Sequence, residues 1–187
     1  MPTTPSLRDN LLIAMPSLHD THFARAVIYL CTHNEDGALG IIINQPTDFS
    51  LTDILACLAI KAEQPQQNKL NIFYGGPVER QRGFVLHPVG RRWDATLDMN
   101  ASLSITTSSD VLESLAQGDG PTQSLVALGY TGWTAGQLEK EMQANAWLTS
   151  PADNRLLFET PPKQRWQAAG ALLNIDINHI SSQHGHA

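Results

Sequence analysis

Two apolar runs joined by a short turn constrain the fold more than any other feature of this chain. The runs cover residues 26–33 and 38–44, and both are rich in β-branched and aromatic residues. Residues 34–37 between them are turn formers that end in glycine, so the segment predicts a β-hairpin. Neither run alternates cleanly between apolar and polar residues, which indicates a central hairpin covered on both faces.

The remaining pattern predicts an α+β domain. Strands are predicted at residues 11–15, 70–74, 83–88, 95–99, 103–106, 124–130, 147–148 and 156–158. Helices are predicted from Ser50 to Ile60, from Ser108 or Ser109 to Gln117, from a Thr134–Gln137 capping box to about Ala146, and from Pro161–Pro162 onward. The elements do not alternate as in a doubly wound fold, so we expect a largely antiparallel sheet in one domain spanning residues 1–187. Residues 1–6 are expected to be loose, and residues 61–69 resemble a linker.

Composition and charge exclude several classes of protein. With 42% hydrophobic and 16% charged residues, the chain is neither disordered nor a disulfide framework. A net charge of −6 provides no positive field for non-specific nucleic-acid binding. Cys31 and Cys57 form no CxxC or zinc spacing, and we expect reduced, buried thiols, with a redox sensor as the alternative. Without a signal peptide or a membrane-spanning run, we expect a cytoplasmic protein without membrane contact.

Local catalytic and metal motifs are missing from the sequence. There is no GxGxxG, GxxxxGK[ST], HExxH or GxSxG segment. His19 and His22 have HxxH spacing, and either His33 or His87 could join them, but no carboxylate or thiol stands at a reinforcing offset. His184 and His186 indicate at most weak metal binding by the C-terminal tail. We therefore predict neither a metal nor a cofactor.

A glycine-rich corner followed by arginines is the first candidate site. Gly75, Gly76 and Pro77 follow a predicted strand, which is typical of a tight corner or bulge and alternatively of a backbone nest for an anion. Cationic and aromatic residues follow within a short stretch: Arg80, Arg82, His87, Arg91, Arg92 and Trp93. Arginine binds phosphate or carboxylate with two parallel hydrogen bonds, so these residues are ligand candidates. The alternative is a solvated face balanced by Glu79 and Asp94.

The second candidate is the segment of residues 129–133. It is predicted to join a strand to a helix, where free backbone N–H groups meet the positive end of the helix dipole. Tyr130, Gly132 and Trp133 would then flank a ligand pocket. The alternative is a strand–helix corner held together by aromatic packing.

Read together, the motifs resemble one bacterial family. They are LIAMP (12–16), VIYLCTHNEDGALGIIINQP (27–46), YGGPV (74–78), GFVLHP (83–88), LGYTGWTAGQLEKE (128–141) and the terminal GHA (185–187). From about residue 7 onward, the chain resembles the AlgH/YqgE family. The resemblance implies a cytosolic protein with one domain of coiled, bifurcated, partly barrel-like β-sheets and flanking helices. Such proteins are labelled transcriptional regulators, a label tied to alginate production.

Two functions of different class follow from these residues. The first is a regulatory or interaction protein with an unknown protein or small-molecule partner; the negative charge and the lack of a basic recognition helix argue against direct DNA binding. The second is a small-molecule or nucleotide-binding enzyme with a cleft near Gly75–Pro77 and residues 129–133. In that enzyme His87 would be the general acid or base, and Arg82 or a neighbouring arginine would hold an anionic substrate. We predict the first function.

Overall fold

The predicted hairpin forms the middle of a large sheet. The computed structural model describes residues 5–61 and 70–180, and within these ranges the chain has ten strands and five α-helices. The strands are β1 (Asn10–Ala14), β2 (Val27–Asn34), β3 (Gly37–Ile42), β4 (Pro46–Ser50), β5 (Asn71–Tyr74), β6 (Val78–Pro88), β7 (Thr96–Asp98), β8 (Leu103–Thr106), β9 (Leu125–Thr134) and β10 (Trp147–Pro151). The helices are α1 (Leu51–Cys57), α2 (Asp110–Ala116), α3 (Gln137–Gln143), α4 (Asn154–Phe158) and α5 (Arg165–Ala171).

The strands run in the order β10-β1-β2-β3-β9-β6-β8-β7, with β5 beside β9 and β4 beside β5. All neighbouring pairs are antiparallel except β5 and β9, which run parallel. The sheet curls into a half-barrel, and the predicted α+β fold with largely antiparallel, coiled sheets is confirmed. In the described ranges, no helix is both long and apolar enough to cross a membrane.

Both faces of the hairpin are covered, as the continuous apolar runs predict. Alternate residues of β1 and β2 enter two different cores. One core contains the apolar side chains of α4 and α5, and we call it the α5 cluster; the opposite face packs against Leu138 and is called the α3 cluster. A third core, the α2 cluster, holds Val111 and Leu115 against Val85 and Val126. Since side chains of a strand alternate between faces, an apolar run without polar gaps fits this arrangement.

Strand β9 is the point where the sheet divides. Its first half, from Leu125 to Leu128, pairs with β6 and β5. Its second half pairs with β3, from Gly40↔Thr131 to Gly37↔Thr134. The two halves meet at Gly129, which has φ +76°. One continuous strand therefore serves two branches of the sheet, and the glycine permits the bend between them.

Several local predictions are corrected by the structure. Residues 156–158 belong to helix α4 rather than to a strand, because Asp153 caps this helix by accepting a hydrogen bond from the Leu156 amide at 2.8 Å. Strand β4 was not predicted from the sequence at all. The predicted capping box before α3 is only half formed: the Gln137 amide oxygen accepts from the Thr134 N–H, but Gly136 is the N-cap and provides no side chain.

The predicted capping box of α1 is confirmed. It is complete, with the Asp53 amide donating to Ser50 Oγ at 3.2 Å and the Ser50 amide donating back to Asp53 Oδ2 at 2.7 Å. Ser6, in contrast, was predicted to be loose but donates its hydroxyl to the His33 carbonyl at 2.9 Å. Most of the predicted linker, the first four residues and the histidine-containing tail lie outside the described residues.

Candidate functional site

The two glycine-containing segments singled out in the sequence lie against each other. A Cβ added to Gly75 would lie 2.2 Å from the Gly129 carbonyl oxygen, and one added to Gly76 would lie 2.1 Å from the Tyr130 carbonyl carbon. A Cβ on Gly129 would in turn lie 2.5 Å from the Gly76 oxygen. These distances leave no room for any side chain, so glycine is required for the two backbones to cross.

The crossing ties the branches of the sheet together through Gly75. Its N–H donates to the Leu128 carbonyl and its own carbonyl accepts from the Ile42 N–H, each at 2.8 Å. Gly75 thus bridges β3 and β9 at the point where the sheet divides. Because its amide is already bonded, it is not available to an anion in a backbone nest. The observed role of this residue is the close approach of two strands.

A four-residue bulge in β6 follows the crossing. Val78 pairs with Tyr130 and Gly83 pairs with Leu128, so residues 79–82 face Gly129 alone. Glu79 at the start of this bulge has φ +44°, a strained conformation for a residue with a side chain. The four residues line a shallow, open surface depression. The bulge therefore projects its side chains away from the ladder and into solvent.

Each arginine of the bulge lies over an aromatic ring. The Arg80 Cζ is 5.9 Å from the centre of the Tyr74 ring, and the Arg82 Cζ is 5.3 Å from Phe84 and 5.9 Å from Tyr130. The Phe84 and Tyr130 rings pack edge to face, with centres 6.1 Å apart. Attraction between a cation and a ring quadrupole at exposed sites is worth about 0.5–1 kcal/mol, which is enough to bias the direction of a flexible arginine.

We call this region the bulge surface and define it by Pro77, Val78 and residues 79–82 together with the Tyr74 and Tyr130 rings. Tyr74 packs against the α3 cluster and Tyr130 against the α5 cluster. The two tyrosines therefore lie on opposite faces of the sheet. Arg80 lies over the Tyr74 ring and Arg82 over the Tyr130 ring, so the two guanidinium groups lie beside different clusters.

The predicted strand–helix corner at residues 129–133 does not exist, because β9 continues to Thr134 before the chain turns into α3. Trp133 is 7% exposed, and its indole N–H donates to Glu141 Oε2 at 2.9 Å. Gly132 is exposed on the strand between Tyr130 and Trp133. Only Tyr130 of this predicted set contacts the bulge arginines, whereas Trp133 is part of the α3 cluster.

His87 is sealed inside the protein. Its side chain has no exposed surface, and its ring packs edge to face on Trp93 at 5.1 Å. Nδ1 is 2.9 Å from the Pro88 carbonyl oxygen, which can only accept, so Nδ1 carries the proton. Nε2, 2.8 Å from Thr106 Oγ1, then accepts from that hydroxyl. Burial is the main influence on the His87 pKa and lowers it, against smaller opposite effects of the Pro88 bond and of Asp98.

His87 is also distant from the bulge surface. Five residues along β6 separate His87 from Arg82, the last residue of the bulge, and residues 83–86 between them pair regularly with β9. This step corresponds to about 16 Å at roughly 3.3 Å per residue. The structure therefore brings Gly75, Gly76 and Tyr130 together with the bulge arginines but places His87 elsewhere.

The other arginines of the sequence cluster form exposed ion pairs with carboxylates of the same chain. Arg91 Nη1 is 2.5 Å from Asp119 Oδ2, and Arg92 Nη1 is 2.7 Å from Asp98 Oδ2. Hydrogen bonds from Ser104 and Arg92 lower the pKa of Asp98. In the solvated-face alternative, Glu79 and Asp94 are the carboxylates that balance this cluster of arginines. Of its four arginines, only Arg82 pairs with one of them, Glu79, at 3.3 Å.

The two thiols differ in their exposure to solvent. Cys31 is buried and its pKa is raised to about 12 by that burial, which makes it a poor nucleophile. Cys57 is exposed at the end of α1, contrary to the expectation that both thiols are buried. In the part of the chain that the structure describes, no three His, Cys, Asp or Glu side chains are arranged to hold a metal ion.

Sequence reasoning missed a buried arginine near the crossing. Arg165 is 5% exposed, donates to the Thr160 and Ile43 carbonyls, and lies 4.9 Å from the Phe73 ring centre. No carboxylate lies within ion-pair distance of it among residues 5–61 and 70–180, and burial lowers its pKa to about 10. Two of these three neighbours, Ile43 and Phe73, come from distant parts of the chain, so no local pattern could have revealed this environment.

Comparisons of the sequence and of the fold with known proteins both lead to the same protein family. The AlgH-like (DUF179) family matches residues 11–178. A UPF0301 protein of Nitrosococcus oceani is 46% identical over all of both chains, and one of Thioalkalivibrio sulfidiphilus is 48% identical over the same extent. The solution structure of the AlgH protein from Pseudomonas aeruginosa superimposes with a TM-score of 0.80 at 45% identity, covering 100% of this chain and 99% of that one.

A more distant structure shares the architecture alone. A crystal structure of a protein from Corynebacterium diphtheriae covers 90% of this chain and 88% of its own, with a TM-score of 0.71 at 19% identity. The resemblance found in the sequence motifs is therefore confirmed over nearly the whole length. The chain belongs to the AlgH-like family, a conserved bacterial family of uncharacterised function.

Proposed function

We propose that this chain is a regulatory or interaction protein that binds a partner, a protein or a small molecule, at the bulge surface. The observation that carries the proposal is the pair of exposed arginines held over Tyr74 and Tyr130 at the division of the sheet. We place this activity in the bacterial cytoplasm. In this view, the family's regulatory label reflects binding to a partner rather than direct contact with DNA.

The bulge surface has the properties of a prepared binding site. A guanidinium group that stacks on a ring keeps the N–H groups at its edge free for a carboxylate or phosphate. Holding the side chain over the ring lowers the entropy that is lost when a partner binds.

The alternative, an enzyme that uses His87, finds less support. Both ring nitrogens of His87 are bonded inside the protein and the ring has no exposed surface. A general acid or base must reach the proton that it transfers, directly or through one water. Residues 77–82 of the bulge surface, in contrast, are all exposed to solvent.

Complementation of a deletion strain tests the proposal. We would delete the gene in the bacterium that encodes the chain, record the change in its transcript profile, and reintroduce variants. Arg80→Glu/Arg82→Glu reverses both charges at the bulge surface. The matched control is Arg155→Glu/Lys163→Glu, which makes the same charge change at exposed positions on α4 and the turn before α5.

We expect the control to restore the transcript profile and the bulge variant to fail, with the thermal unfolding midpoint of both close to that of the unmodified protein. Full restoration by a folded Arg80→Glu/Arg82→Glu variant would refute the proposal. A folded His87→Gln variant separates the two functions: it should restore the profile if the chain acts by binding at the bulge surface, and should fail if the chain is an enzyme that depends on this imidazole.

A further inference from the structure

The bulge surface combines charged and apolar groups at close range. Val78 is 38% exposed despite its apolar side chain, and Pro77 beside it is exposed as well. They adjoin two arginines and two tyrosine rings. Arginine and tyrosine are, together with tryptophan, the residues enriched among those that dominate protein–protein binding energies, and surrounding contacts exclude water from them.

Positive charge at this surface is not neutralised as it is at Arg91 and Arg92. Arg91 and Arg92 each bind an aspartate at 2.7 Å or less. No carboxylate lies within 4.0 Å of Arg80 in the described part of the chain. The Arg82 pair with Glu79 is long, at 3.3 Å, and both side chains are about half exposed, so a competing carboxylate can replace Glu79 at little cost.

The size of the charged patch favours a protein over a nucleic acid. Nucleic-acid binders neutralise on the order of 6–10 phosphates, and affinity rises with each released counterion. The bulge surface offers two arginines, and the net charge of −6 repels a polyanion at long range. An acidic stretch of a protein carries fewer charges and can also bury apolar side chains against Pro77 and Val78.

We infer that the partner is a protein, and that the segment docking on the bulge surface carries two acidic side chains next to an apolar one. This inference rests on the proposed binding function. Because Arg80 lies over Tyr74 and Arg82 over Tyr130, each guanidinium group can bind its own carboxylate of the segment. The apolar side chain of the segment contacts Val78 between them.

Selection from a random library of twelve-residue peptides displayed on phage tests this inference with the full chain as bait. We expect the selected peptides to be enriched in Asp or Glu beside an apolar residue. A synthetic peptide of the selected sequence should bind Arg80→Ala/Arg82→Ala about tenfold more weakly or worse, since truncated hot-spot arginines cost this much or more. The control Arg155→Ala/Lys163→Ala should bind it unchanged.

Three results would overturn the inference. One is selection of neutral or basic peptides, and the second is equal binding of the selected peptide to Arg80→Ala/Arg82→Ala. The third is tighter binding of a labelled twelve-nucleotide oligothymidine than of the peptide. Complementation distinguishes failure of this inference from failure of the proposed function. If Arg80→Glu/Arg82→Glu fails to complement but no acidic peptide is selected, the bulge surface binds another class of partner. If the folded variant complements, the proposed function itself is wrong.

Discussion

Glu141 holds two buried tryptophans, and its removal should destabilise the protein measurably. The indole N–H groups of Trp133 and Trp147 both donate to Glu141 Oε2, at 2.9 and 2.8 Å. The two rings pack edge to face with centres 6.3 Å apart, and they are only 7% and 4% exposed. One carboxylate oxygen of α3 thus joins β9 to β10 across the α3 cluster.

The magnitude of the effect follows from these bonds. Glu141→Leu leaves two buried indole donors without an acceptor, and each unsatisfied donor costs about 1–3 kcal/mol. Because Glu141 is half-buried, water reaches part of the site, so we expect a total loss of about 2–4 kcal/mol. Glu141→Gln keeps an oxygen that can accept both bonds but loses the charge, and we expect it to cost about 1–2 kcal/mol.

Urea unfolding followed by far-ultraviolet circular dichroism measures these losses without depending on tryptophan emission. Glu113→Leu on α2 is the control, because Glu113 is exposed and makes no side-chain hydrogen bond within residues 5–61 and 70–180; its effect should stay within about 0.5 kcal/mol. Glu141 does not hold the two indoles as described if Glu141→Leu is as stable as this control, or if the Gln and Leu variants lose the same stability.

Three further predictions concern the crossing, the sealed histidine and the thiols. Gly129→Ala should lower the free energy of unfolding by ~3 kcal/mol or more in thermal unfolding, because Gly129 has φ +76° and the added Cβ would lie 2.5 Å from the Gly76 carbonyl oxygen. Gly132→Ala is the control and should cost far less, because its Cβ would meet nothing closer than 3.7 Å. Burial lowers the pKa of His87 in the folded state, so on acidification the imidazole is protonated in the unfolded chain before it is protonated in the folded one. The free energy of unfolding should therefore fall as pH drops below about 6.5. An equally steep fall in the His87→Gln variant would contradict this. Ellman's reagent should modify Cys57 in the native protein and Cys31 only on unfolding; rapid reaction of both thiols would show that Cys31 is not sealed.

Elements specified by nearby residues could be predicted from the sequence. The Ser50–Asp53 capping box and the two-faced apolar runs of β2 and β3 act over a few residues. Residues 156–158 misled the prediction because a short apolar run after Asp153 fits either a strand or a helix capped by that aspartate. Periodicity cannot separate these structures in so short a segment.

The candidate site could be predicted only in part. The Gly75–Gly76 and Gly129 segments were both marked by glycine, which signals close backbone approach without revealing which backbone approaches. Their contact depends on β5 running parallel to β9, a pairing between segments about fifty residues apart. His87 was a reasonable catalytic candidate by residue type, but Thr106 and Trp93 close it off from solvent.

By itself, the sequence determined the family, the hairpin at the centre of the sheet and the set of segments worth examining, because these depend on motif order and local residue preferences. Only the tertiary structure decided which of those segments form a site. Strand register and the count of residues in the β6 bulge turn Arg80 and Arg82 outward over tyrosines and leave His87 inside. These are properties of long-range pairing, in which a shift of one residue moves every side chain to the other face.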